Sequence, residues 1–200
     1  MYKKVILLVI MAALVLVVSK AAEVVYFNNN YAEIELLDGT ILGVRTDVNS
    51  ISHWENNRIY VKCTPSLKKF KNLEDLSMSA DEKTNFEYLS EMNKLQCLCI
   101  NYSDGYFGRL ETLPELPNLN ELTLIGNQEN IFKLSAEEKY NIDGINTIFF
   151  WNFKSVDYDS LKYFKNLRWI ELNFLQNYLT NEEIDELTEK GIRVGWVKLD

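Results

Sequence analysis

Bulky apolar residues return at fixed intervals over most of this chain, and within each cycle the interval shortens from three to two. The first cycle runs Leu67, Phe70, Leu73, Leu76, Met78. The frame L-x-x-L-x-x-L-x-x-L-x-L, with L for any bulky apolar residue, recurs at Leu89, Met92, Leu95, Leu98, Ile100 and at Leu113, Leu116, Leu119, Leu122, Leu124. A fourth copy keeps Ile142, Ile145, Ile148 and Phe150 after Lys139, and a fifth reads Leu161, Phe164, Leu167, Ile170, Leu172. Of 25 framed positions 24 are apolar, whereas a composition of 47% apolar gives about 12. The third framed residues, Leu73, Leu95, Leu119, Ile145 and Leu167, lie 22, 24, 26 and 22 residues apart. Such intervals are those of a structural repeat.

The closing L-x-L alternates at period two and predicts a short strand with one buried face. The spacings of three before it bring side chains round to one side of a tight turn. A single unit cannot bury its apolar side, so the units must stack, joining strands into a parallel sheet and apolar rows into one core. Between strands, Asp81 to Met92 predicts a helix with Phe86, Leu89 and Tyr88 inward, and Ser155 to Phe164 a second. Residues 102–117, with Gly105, Gly108, Pro114 and Pro117, predict an irregular crossing.

The ends read as caps. Thr180 and Glu183 form a capping-box signature for a helix through about Lys190, stopped by Gly191. Ile192 and Val194 follow Ile170 and Leu172 by 22 residues and predict a terminal strand. Ile34–Leu37 and Ile41–Val44 flank Asp38-Gly39-Thr40 and predict a hairpin with a two- to three-residue turn. Ile59-Tyr60-Val61 adds the strand before the first full repeat.

The framed residues, over roughly 56–197, resemble the leucine-rich-repeat family, in particular the short 22-residue type of internalin-like bacterial surface proteins. The resemblance implies an α/β fold: a solenoid with a concave parallel sheet, a mixed helical and irregular convex side, and capped ends. It also implies that the concave sheet binds another protein, with a glycan as the second choice. The family commonly sets Asn three positions after the last strand leucine. Only Asn127 does so here; Asp81, Ser103, Phe153 and Leu175 hold the equivalent positions.

In each L-x-L strand the middle and flanking residues should face outward on the concave side. They read Asp75, Ser77, Ser79; Cys97, Cys99, Asn101; Glu121, Thr123, Ile125; Thr147, Phe149, Trp151; and Trp169, Glu171, Asn173, with Arg193 in the terminal strand. Phe149, Trp151 and Trp169 therefore gather on a face that should meet water, rimmed by Glu171 and Thr123. Exposed aromatic clusters mark binding surfaces. The bland alternative is that capping residues cover these rings or a bulge turns them inward.

Charge and the N-terminus narrow the class further. Lys3 and Lys4 precede an apolar run of 14 residues, Val5 to Val18, then Ser19-Lys20-Ala21, the layout of a signal peptide over 1–21. The run is shorter than the roughly 18–20 residues that span a bilayer, so membrane contact is expected only if this segment stays uncleaved. An N-terminal hairpin and cap over 22–55 would precede the repeat domain over 56–200. The protein is thus expected to be exported: secreted, periplasmic or at the cell surface. The net charge is -8, and -11 after cleavage, which disfavours nucleic acid. Cys63, Cys97 and Cys99 are an odd count and point to free thiols; Cys-x-Cys offers only two metal ligands, and the sole His53 is distant in sequence. No catalytic, metal or cofactor motif is present, so no enzyme is expected. The rival to a binding module is a structural envelope component that self-associates through its aromatic patch.

Overall fold

The computed structural model describes residues 30–54, 57–102 and 110–197. The expected signal segment and part of the 102–117 crossing lie outside them. Fourteen strands are described: β1 Tyr31–Glu35, β2 Ile41–Arg45, β3 Ser50–Ile51, β4 His53–Trp54, β5 Asn57–Arg58, β6 Val61–Lys62 and β7 Asp75–Ser79, followed by β8 Cys97–Asn101, β9 Glu121–Ile125, β10 Ile131–Phe132, β11 Thr147–Trp151, β12 Ser155–Val156, β13 Trp169–Asn173 and β14 Arg193–Val197. The repeat strands β7, β8, β9, β11, β13 and β14 pair in parallel, in chain order, as the body of one long sheet.

Register follows the apolar frame. Ile51, Leu76, Leu98, Leu122, Ile148, Ile170 and Val194 stand side by side. A second row joins Val61, Met78, Ile100, Leu124, Phe150, Leu172 and Trp196. From Leu76 to Ile170 and from Val61 to Leu172 these side chains are all but wholly buried. A slip of one residue would turn both rows to solvent, so burial itself fixes the register.

The spacing of three has an equally direct cause. Phe70 N–H donates to the Leu67 carbonyl, Met92 to Leu89, Leu95 to Met92, Leu119 to Leu116, Ile145 to Ile142, Phe164 to Leu161 and Leu167 to Phe164. Successive framed residues are thus joined by 3₁₀-type bonds, which bring side chains three apart onto one side. A second ladder binds repeat to repeat. The Glu74 carbonyl accepts from the N–H groups of both Gln96 and Cys97, Gln96 from Asn120 and Glu121, Asn120 from Asn146 and Thr147, and Asn146 from Arg168 and Trp169.

The return segments depart from expectation in detail. Asp81 to Met92 is not an α-helix: Asp81 closes a turn with Thr84, and only Phe86–Leu89 coils, as a 3₁₀ turn capped by Asn85. Phe86 and Leu89 are buried as expected and Tyr88 is half-buried. The second expected helix is shorter than predicted. Ser155–Val156 instead pairs with Ile131–Phe132, and the helix α1 spans only Tyr158–Leu161, capped by Asp157. The long interval between Leu119 and Ile145 leaves space that aromatic rings fill. Phe132 lies 4.7 Å from Phe150 and 6.4 Å from both Phe153 and Phe164.

At the C-terminal end, α2 (Asn181–Glu189) carries both halves of the capping box, and Gly191 ends it at φ 79°. At the other end, β1 and β2 form the expected hairpin. Its three-residue loop is closed by Leu36 N–H on the Thr40 carbonyl, with Gly39 at φ 85°. The strand expected at Ile59–Val61 is in fact split between two chain segments. Ser50–Ile51 pairs with the first half of β7 and Val61–Lys62 with the second. Ala32, Ile34 and Ile51 share one core with the sheet leucines, so the hairpin region packs on the end of the sheet.

Candidate functional site

Three rows of side chains line the sheet face opposite the leucines. The middle row is Ser77, Cys99, Thr123, Phe149, Glu171 and Gly195. Its N-terminal half does not meet water, contrary to the sequence-based expectation. Ser77, Cys99 and Thr123 are 1%, 5% and 7% exposed. Two described residues of the excursion between β3 and β6, Ser52 and Arg58, meet this face. Ser52 donates to Asp75 Oδ2 at 2.5 Å, and Arg58 Nη1 reaches over β7 to Cys99 Sγ at 3.3 Å. At 7% exposure Thr123 is part of the buried floor and not an exposed rim.

The excursion sets the chemistry beneath it. Burial raises the Glu121 carboxyl, and Asp75 adds to the effect against the pull of Arg58. Burial together with Glu121 and Asp75 pushes the Cys97 thiol up to about 11. Burial alone carries Cys63 to about 12, and Cys99 is raised mainly by the same cause. None of these sulfurs has the lowered pKa that activates a nucleophilic cysteine. Among the described residues no group of three or more His, Cys, Asp or Glu is disposed to hold a metal.

The C-terminal half of the face stays open. Trp151 is 36% and Trp169 37% exposed, and Phe149 and Glu171 are half-buried. The four do not form one stack. Trp151 stands opposite Asn173 and Trp169 opposite Thr147, with Phe149 and Glu171 paired between them, so the two indoles occupy opposite ends of a diagonal. Each is propped locally. Trp151 meets Phe174 edge-on at 5.5 Å, and Phe174 and its counterpart Asn152 hold left-handed backbones at φ 57° and 61°. Trp169 leans across Gly195 of the terminal strand. Between them the wholly buried Asn173 donates to Glu171 Oε1 at 2.9 Å and fixes the carboxylate.

Two further exposed residues on and beside these strands escaped the sequence reading. Trp196, 49% exposed, lies on the opposite face, in register with the core residue Leu172. Arg168 sits one residue before the Trp169 that the frame singled out, and it is exposed beside Arg193. The arrangement offers fixed aromatic faces, one oriented carboxylate and nearby guanidiniums, a combination suited to binding. No protein-family model matches the chain, and no curated protein matches it in sequence.

Proposed function

We propose that this chain is an exported, non-catalytic leucine-rich-repeat solenoid that binds another protein through the open C-terminal half of its concave sheet. The repeat frame supports the family, through parallel strands of successive repeats with framed residues buried in register. The observation that carries the function is the pair Trp151 and Trp169. Both are more than a third exposed on one sheet face, each held by a neighbour, in a protein whose phenylalanines at core positions are buried. Rigid, solvent-facing aromatics are what interface anchors require, because they present large apolar area with little side-chain entropy to lose. Phe149 and Glu171 complete the patch, and Thr123 stands beside Phe149 on the neighbouring strand.

The test is affinity capture by the immobilised full chain from the extracytoplasmic fraction of its own cells, compared with Trp151→Ala and Trp169→Ala. Each replacement should lower recovery of the same partner at least tenfold without changing the circular dichroism. Equal recovery by the double variant would remove this reading. Mass that grows with protein concentration in sedimentation, and that growth abolished by the same replacements, would transfer the patch to self-association.

A further inference from the structure

The protein is acidic overall, at -8, but one cleft of about 550 Å³ reverses that sign. It lies between the turns that lead into β13 and β14, with Lys165, Arg168, Trp169, Lys190, Gly191 and Arg193 on its walls and no acid among the lining residues. Two of its cations are partly compensated. Lys165 meets Asp143 at 2.7 Å, and Lys190 lies 3.1 Å from the Tyr158 hydroxyl and 4.0 Å from Glu186. The other two are not. Among the described residues neither Arg168 nor Arg193 has a side-chain hydrogen bond or ion pair, and both are exposed. They are held side by side, since Arg193 N–H donates to the Arg168 carbonyl at 2.8 Å.

The form of the site discriminates among anions. A single phosphate is best held by converging backbone N–H groups. Here the N–H groups of Arg168, Trp169, Gly191, Ile192 and Arg193 already donate to carbonyls, and the side-chain cations are spread along the cleft. Several carboxylates at intervals suit that spread. The neighbouring strand then points to what carries them. Among the described residues β14 stands at the end of its sheet and is paired on one side only, with Trp196 exposed on its core-facing side. An unpaired strand edge accepts an extended peptide through main-chain hydrogen bonds, which a polysaccharide cannot supply.

We infer that an acidic, extended segment of a partner protein adds along the free edge of β14 and places its carboxylates against Arg168 and Arg193. This rests on the protein-binding reading above and supplies the chemistry of the partner. The probe is an acetylated Glu-Thr-Glu-Val-Glu-Thr peptide titrated into the full chain by calorimetry. The comparison ligands are the same peptide with Gln for each Glu, trigalacturonate and inorganic phosphate.

The acidic peptide should bind at least tenfold more tightly than the Gln peptide, and added salt should weaken it. Arg168→Glu/Arg193→Glu should reduce its affinity about tenfold or more. A reversal in the first repeats, Lys69→Glu/Lys83→Glu, far along the sheet from β14, should leave it unchanged, with circular dichroism showing that both variants fold. Equal binding of the Gln peptide, insensitivity to the arginine reversal, or equal affinity for trigalacturonate or phosphate would each overturn the assignment. Failure of the peptide to bind while Trp151-dependent capture persists would end this inference and leave the protein-binding reading intact. Peptide binding without any Trp151-dependent capture would do the opposite.

Discussion

The indole of Trp169 lies over Gly195, its Cζ2 only 3.5 Å from where a Cβ on that glycine would stand. Trp169 pairs laterally with Arg193, so the ring leans two residues along the terminal strand and uses the missing side chain as its seat. A methyl group at 3.5 Å is ordinary van der Waals contact; a branched side chain is not. Gly195→Ala should leave the Trp169 indole N–H resonance in place, whereas Gly195→Ile should shift it and weaken partner capture several-fold. Identical indole resonances in the two variants would show that the glycine does not position the ring.

Gly126 presents the tighter version of the same relationship. A Cβ there would fall 2.7 to 2.9 Å from three ring atoms of Phe153, which is fully buried and 6.0 Å from Phe150. The ring would have to shift for a methyl group to fit. Gly126→Ala should therefore cost about 1–3 kcal/mol in denaturant unfolding, as overpacked cores do. Adding Phe153→Leu should recover part of that loss, giving a coupling that independent sites lack. A variant as stable as the parent would refute the steric account.

The repeat frame was legible because two simple periods carried it. Period two fixed the rows Leu76 to Ile170 and Met78 to Leu172, and the terminal strand followed from Ile192 and Val194. The spacing of three was harder to interpret. Phe86, Leu89 and Met92 fit one face of an α-helix, yet they are also three apart in a chain of 3₁₀-type bonds, and the structure uses the second option. Burial of Thr123 and Cys99 was not legible at all. For Cys99 it involves Arg58, which crosses β7 to reach a residue 41 positions away, and no local pattern announces such a contact.

A polar ladder was present in the sequence but sought at the wrong end of the strand. Asn sits directly before the third framed leucine in Asn72-Leu73, Asn118-Leu119 and Asn166-Leu167. Asn118 Nδ2 donates to the Asn93 carbonyl and Asn166 Nδ2 to the Asp143 carbonyl, each in the preceding repeat. Asn118→Ala and Asn166→Ala should each lower stability by about 0.5–1.5 kcal/mol, the net worth of one such bond. Leu122→Ala, in the middle of a buried row, should cost about 2–5 kcal/mol. Chemical denaturation of the three variants checks the order; asparagine losses matching the leucine loss would mean the ladder, and not the core, holds the stack.

The three thiols should be slow to react. With Cys97 raised to about 11 and Cys63 to about 12, about 1% or less of either is thiolate at pH 9. Cys97 and Cys63 are half-buried and Cys99 is buried. A chromogenic disulfide reagent at pH 8 should label Cys97 first and titrate all three rapidly only after unfolding. Immediate labelling of Cys99 in the folded protein would contradict its cover by Arg58.

Glu121 gives the pH dependence a sign. Its carboxyl is raised, first by burial and then by Asp75, against the attraction of Arg58. A carboxyl raised on folding binds its proton more tightly in the native state. The resulting contribution is complete below the unfolded value, about 4.3, and is lost as pH rises through the folded value. Glu121→Gln removes this dependence while keeping the side-chain size. Relative to the parent, the variant should therefore gain stability between pH 4 and pH 7, the gain appearing as pH climbs out of the ordinary carboxylate range. Urea unfolding of both proteins across that interval measures it. A difference that falls with pH would mean that the charge pair with Arg58 outweighs desolvation beneath the excursion. Arg58 would then hold the covered half of the face by electrostatics as well as by packing.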